Sequence, residues 1–126
     1  EGKKILWVED DQFLNYIIAR KLDLTKCIPF HATRGEEALK IISKEIPDAI
    51  VLDIVLPGMD GFEVLQKVKA DPATARIPVI LLSNLSQKSD IEKGKSLGAS
   101  RYMVKATVTP NEIIDQIREV LNEVKK

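Results

Sequence analysis

Three apolar runs constrain this chain more than any other feature: Ile5-Leu6-Trp7-Val8, Ala49-Ile50-Val51-Leu52 and Val79-Ile80-Leu81-Leu82. Each is short, unbroken by polar residues and rich in β-branched or aromatic side chains. Runs of that kind are strands covered on both faces, as in a parallel sheet. Cys27 to Ala32 and Arg101 to Val104 are weaker strand candidates.

Helical patterns fill the spaces between these runs. From about Asp11, Leu14, Ile17, Ile18 and Leu22 form one apolar stripe, and Ile113, Ile117, Leu121 and Val124 form another near the end. Both follow the 3.6-residue period of an amphipathic helix. Thr33-Arg34-Gly35-Glu36 and Thr109-Pro110-Asn111-Glu112 fit a capping box, the second with Pro at the first helical position. Asp60-Gly61-Phe62-Glu63 and Ser89-Asp90-Ile91-Glu92 are looser forms of the same start signal. A further helix is expected from about Asp90 to Leu97, with Gly94 inside it.

The predicted order is βαβαβαβαβα, which implies parallel pairing, right-handed crossovers and helices on both sheet faces. Pro29 falls inside the second strand, and proline is tolerated in a sheet mainly at an edge. An edge position for strand 2 agrees with the order 2-1-3-4-5, one of two common doubly wound arrangements. The expectation is one α/β domain over residues 1–126, a three-layer, doubly wound, five-stranded parallel sheet of the flavodoxin-like kind. A chain of 126 residues is long enough for one such core.

Composition narrows the function classes. Nineteen basic residues balance nineteen acidic ones, which removes the electrostatic footprint of a nucleic-acid binder or a membrane-surface helix. Cys27 is the single cysteine, so there is no disulfide framework or zinc knuckle. No apolar run approaches the roughly 18 residues of a membrane span, and the first residues do not begin a signal peptide. A cytoplasmic location is expected.

Ligands of such sheets bind beyond the carboxyl ends of the strands, near the reversal of strand order. Glu9-Asp10-Asp11 follow strand 1, Asp53 follows strand 3, Ser83 follows strand 4 and Lys105 follows strand 5. Strands 1 and 3 would lie about 4.8 Å apart, which puts Glu9, Asp10 and Asp53 in one small cleft. Three carboxylates that close disfavour one another's ionisation unless a cation joins them. Mg²⁺, held by one or two carboxylates plus waters and a phosphate, is the expected ion. Lys105 can reach across to Asp53, Ser83 supplies a hydroxyl, and Asp53 is the central nucleophile.

Over essentially its whole length the chain resembles the receiver domain of bacterial two-component response regulators. The resemblance is carried by Lys4 to Asp11, by Asp48 to Gly61 (Asp-Ala-Ile-Val-Leu-Asp-Ile-Val-Leu-Pro-Gly-Met-Asp-Gly), by Pro78 to Ser83 and by Gly98 to Lys105. It implies that Asp53 accepts a phosphoryl group from a phosphohistidine of a sensor kinase or phosphotransfer protein. It also implies Asp10 as the main metal carboxylate, Glu9 acting mostly through water, and the backbone carbonyl of Val55 as a further ligand. Ser83 would bond a phosphoryl oxygen, Lys105 would pair with it, and Tyr102 would swing inward as the hydroxyl moves. Helix 4, strand 5 and helix 5 would form the face read by a downstream output domain or protein. Such a module is not an enzyme beyond its own phosphorylation and slow dephosphorylation.

Several positions depart from the family pattern. Glu9 stands where Asp is common, and Asn84 is bulkier than the usual small residue. Ala106 replaces the Pro that commonly follows the lysine with a cis peptide. A cis bond without Pro costs about 3 kcal/mol, so a trans or visibly strained bond is expected, with a shift of Lys105 as its consequence. Val55 and Leu85, which flank the pocket, are apolar and cannot orient an attacking water, which implies a long-lived phosphorylated state.

Trp7 reads as core packing and His31 as a solvated surface residue without partners. The alternative function is a pseudo-receiver interaction domain that no longer uses phosphate. A haloacid-dehalogenase-like phosphatase needs a second acid where Val55 stands, and a flavin carrier needs a phosphate loop where Glu9-Asp10-Asp11 would repel phosphate. A DNA-binding output domain is absent from these residues, which leaves a stand-alone regulator or an excised receiver, and the opening on Glu1 rather than Met favours the excised one.

Overall fold

The computed structural model describes residues 2–24, 27–85 and 87–125, with the side chains at 13, 22–24 and 123–125 outside the description. The side chains of Leu22 and Val124, the far ends of the two helix stripes, therefore lie outside the description. The strands are β1 (Lys4–Val8), β2 (Ile28–Ala32), β3 (Ala49–Leu52), β4 (Val79–Ser83) and β5 (Arg101–Val104). The helices are α1 (Gln12–Leu24), α2 (Gly35–Glu45), α3 (Gly61–Ala70), α4 (Lys88–Ser96) and α5 (Pro110–Lys125). A 3₁₀ turn over Lys105–Thr107 joins β5 to α5.

All four strand pairings are parallel, in the order β2-β1-β3-β4-β5. Strand alternation divides the apolar side chains between two cores. Leu6, Val8, Ile50, Leu52, Val79 and Leu81 pack with Ala38 and Ile42 of α2 and with Phe62, Val64, Leu65 and Val68 of α3. Ile5, Trp7, Ala49, Val51, Ile80 and Leu82 face the other way, onto Ile18 of α1 and Ile113, Ile114, Ile117 and Val120 of α5. The unbroken apolar runs follow from this double covering, because no residue of β1 after Lys4, or of β3 and β4, turns towards water. The expected three layers and strand order are therefore present.

Pro29 occupies the edge for a simple reason. Ile28 N–H points into the sheet, donating to Lys3 O at 2.8 Å, so alternation turns the nitrogen of position 29 outward. The N–H that proline lacks is not needed there.

Local start signals were realised unevenly. Asp60 caps α3, accepting Glu63 N–H at 3.0 Å. Thr109 and Glu112 form a reciprocal box, with Thr109 N–H to Glu112 Oε1 at 2.7 Å and Glu112 N–H to Thr109 Oγ1 at 3.2 Å. At α2 the box is displaced: Arg34 is the cap residue, and Glu37 rather than Glu36 reaches back, accepting Thr33 N–H at 2.9 Å. Ser89 lies inside α4, which starts one residue earlier at Lys88.

Gly94 is buried where α4 crosses the sheet. A Cβ at this position would stand 2.6 Å from Leu81 Cδ1 and 3.1 Å from the Tyr102 ring. Close packing, not fraying, accounts for a glycine in mid-helix.

Candidate functional site

Register alone assembles most of the site. Val8 pairs with Leu52, so the next residues, Glu9 and Asp53, leave neighbouring strands side by side. Ser83 pairs with Val104, which sets Lys105 one step beyond the end of β4. Glu9, Asp10, Asp11, Asp53, Val55, Ser83, Asn84 and Lys105 line one cleft at the carboxyl edge of the sheet. The residues expected at four strand ends are thus brought together.

Gly61 makes room for this arrangement. It donates to Ile54 O at 2.7 Å, and a Cβ on it would lie 2.2 Å from Asp53 O and 2.7 Å from Ile54 Cα. The start of α3 therefore presses against the backbone that carries the central carboxylate.

Glu9 is 1% exposed and Asp53 4%. One oxygen from each of Glu9, Asp10 and Asp53 lies within 4.8 Å of the others. Mg²⁺ holds oxygen ligands at about 2.1 Å, so two ligands on opposite sides stand about 4 Å apart. The acidic set fits a hard divalent ion of this kind in both donor chemistry and spread. Asp11 lines the cleft too, but its Oδ1 accepts Leu14 N–H at 3.2 Å as the cap of α1.

Lys105 Nζ lies 2.8 Å from Asp53 Oδ2 and also contacts Glu9 Oε1, with its side chain 17% exposed. Glu9 Oε2 accepts Asp11 N–H at 3.0 Å. Burial pushes the Glu9 carboxyl up to about 7, reinforced by Asp53 and opposed by Lys105 and the Asp11 N–H. Burial pulls the Lys105 ammonium down, but its bonds to Asp53 and Glu9 prevail and hold it above its ordinary value. The cleft thus carries more negative charge than one ammonium balances.

One expectation is corrected here. No cis peptide occurs among the described residues, yet the trans Lys105–Ala106 link does not displace Lys105 from Asp53, because the 3₁₀ turn brings the side chain back over the cleft. Val55 lines the cleft and is 62% exposed, and Leu85 flanks it, its backbone N–H donating to Ser83 Oγ at 3.3 Å. Leu85 packs against the α2–α3 core, and its carbonyl accepts Tyr102 OH at 2.5 Å. The Tyr102 side chain is therefore already tied to the loop after β4.

His31 was expected to lack partners. It is exposed on the edge strand, but its Nε2 lies 3.1 Å from Glu9 O. Asn15 Nδ2 donates to the same carbonyl at 2.9 Å, while the Trp7 indole N–H bonds Asn15 Oδ1. Sequence reasoning missed Asn15 altogether. Its only signal was a polar residue in the first turn of a helix that follows an acidic pair.

The family model for the response regulator receiver domain matches residues 5–118. The probable transcriptional regulator ycf27 of Porphyridium aerugineum is 36% identical over 126 residues, covering 100% of this chain and 51% of that protein. The chain spans about half the length of the first curated relatives it matches. Among solved structures, the BeF3-activated N-terminal receiver domain of Klebsiella pneumoniae RstA has a TM-score of 0.82 at 31% identity, covering 94% of this chain and 97% of that one. The Mn(2+)-bound form of response regulator Rcp1 has a TM-score of 0.78 at 25% identity, covering 97% of this chain and 88% of that one. No helix among the described residues is long and apolar enough to cross a membrane.

Proposed function

The chain belongs to the response regulator receiver domain family, and from that premise we propose that it is a phosphoacceptor signalling module in which Asp53 takes a phosphoryl group with the help of Mg²⁺. The observation that carries this reading is the meeting of Asp53, Lys105, Ser83 and the Glu9–Asp10 pair in one cleft. Likeness to a BeF3-activated receiver and to a Mn(2+)-bound one supports the phosphoryl and metal parts respectively.

Phosphoryl transfer asks for positioning and charge neutralisation more than for covalent help. Asp53 Oδ attacks phosphorus, the bond from phosphorus to the donor's imidazole nitrogen breaks, and that nitrogen keeps the electron pair. Lys105, 2.8 Å from Asp53 Oδ2, is placed to balance charge on the transferred oxygens. Ser83 ends β4 inside the cleft, where its hydroxyl accepts Leu85 N–H at 3.3 Å and is free to donate to a phosphoryl oxygen. Asp10, Glu9 and Asp53, with the Val55 carbonyl, would hold the divalent ion, which supplies positive charge opposite the phosphoryl oxygens.

The donor is a sensor histidine kinase or a phosphotransfer protein, and the phosphorylated state is read through α4, β5 and α5 by an output domain or protein. The Tyr102 bond to Leu85 O links the loop after Ser83 to β5, so a shift of the hydroxyl can reach that face. Val55 lines the cleft, and its apolar side chain cannot orient an attacking water, so the phosphorylated state is long-lived. The module acts in the cytoplasm and touches neither nucleic acid nor membrane directly.

Incubation with a small acyl phosphate tests the reading. The expected result is one phosphoryl group on Asp53, dependent on Mg²⁺ and abolished by Asp53→Ala. Absence of labelling in the unsubstituted chain overturns it.

A further inference from the structure

Glu9 is the first residue beyond β1, where the ladder supplies no partner for its carbonyl. Its N–H still finds Ala32 O at 3.0 Å. Its carbonyl accepts from two side chains on two other elements, Asn15 Nδ2 of α1 at 2.9 Å and His31 Nε2 of β2 at 3.1 Å. A carbonyl only accepts, so His31 presents its Nε2–H. Asn15 is itself oriented, because its Oδ1 takes the indole N–H of Trp7 from β1, leaving only the amide nitrogen to face Glu9.

We propose that Asn15 and His31 are positioning residues: together they clamp the Glu9 carbonyl and fix the Glu9–Asp10 peptide, from which two of the three rim carboxylates depart. A peptide plane held at its oxygen by two donors cannot rotate without breaking both. The orientation of that plane decides whether the Glu9 and Asp10 side chains converge on Asp53 or diverge. The meeting of the three carboxylate oxygens within 4.8 Å thus depends on groups that never touch the ion. Partners of this outer kind typically change metal affinity about 10- to 100-fold when removed.

Both residues line a groove of about 410 Å³ between α1 and β2, on the surface rather than in the core. Neither belongs to the packed cores, although Asn15→Ala also takes the acceptor from the Trp7 indole N–H. Tyr16 lines the same groove, is 61% exposed and accepts from Arg20 at 3.0 Å, so it serves as a control that makes no hydrogen bond to the acidic rim.

The inference rests on the divalent-ion reading given above. Calorimetric titration of the full chain with Mg²⁺ tests it, run below the unfolding midpoint of every variant. Asn15→Ala and His31→Ala each weaken Mg²⁺ binding at least threefold, and the double variant about tenfold or more, while Tyr16→Ala stays within twofold. A merely structural role would lower the unfolding midpoint and leave the affinity alone. Binding by the unsubstituted chain with an unchanged double variant overturns the clamp. No Mg²⁺ uptake by the unsubstituted chain overturns the divalent-ion reading, and the clamp with it.

Discussion

Lys105 and Asp53 face each other across the end of β4, with Nζ 2.8 Å from Oδ2, although the two residues lie 52 positions apart in the chain. Nothing in the local sequence of either residue produces this contact. It follows from the strand order β3-β4-β5 and from the 3₁₀ turn that begins at Lys105. The same ammonium also meets Glu9, so one cation bridges the carboxylates of two strands.

Removing that cation leaves two buried carboxylates without a counter-charge. Lys105→Met is expected to destabilise the metal-free chain by about 3 kcal/mol at pH 8, measured by urea unfolding. The loss should shrink at pH 5.5, where Glu9 is protonated. The vacated charge should tighten Mg²⁺ binding about tenfold, while labelling of Asp53 by an acyl phosphate slows.

Glu9 gives the pH dependence its direction. Its folded pKa of about 7 lies above the ordinary 4.5, so between these values the folded chain keeps a proton that the unfolded chain has lost. Stability from this group is complete below about pH 4.5 and declines as pH rises through about 7. The metal-free chain should lose on the order of 2–3 kcal/mol over that interval relative to Glu9→Gln, which lacks the titration. Divalent binding runs the opposite way, strengthening with pH up to about 7 as the proton leaves. Urea midpoints and calorimetry at pH 5.5 and 8 check both slopes.

Gly61 admits no side chain. With Asp53 O only 2.2 Å from the place of a Cβ, Gly61→Ala must push α3 or the Asp53 backbone aside. A loss of about 3 kcal/mol is expected in chemical unfolding, together with weaker Mg²⁺ binding because Asp53 moves with its backbone. Gly35→Ala, whose Cβ would meet Met59 O at 2.7 Å, should cost stability without moving Asp53.

The legible parts of this chain were those in which one physical rule decides the outcome. Burial on both faces forces the unbroken runs of β1, β3 and β4, and the missing N–H of Pro29 sends β2 to the edge. From these alone the rim acids and Lys105 fall into one cleft. Contacts from side chains to the backbone of another element were not legible. His31 on an edge strand and Asn15 in a first helical turn look like solvated residues until the crossover brings both to the Glu9 carbonyl. The displaced cap of α2 shows that when two adjacent glutamates can reach back, as Glu36 and Glu37 can, spacing does not choose between them.

The central claim is that the carboxylates gathered at the sheet edge are a seat for one divalent ion. Calorimetric titration of the metal-free chain with Mg²⁺ at pH 8 measures it directly. The account predicts saturable uptake of one ion per chain, abolished by Asp10→Ala and by Asp53→Ala. Heat no greater than dilution, or uptake that survives both substitutions, would contradict it.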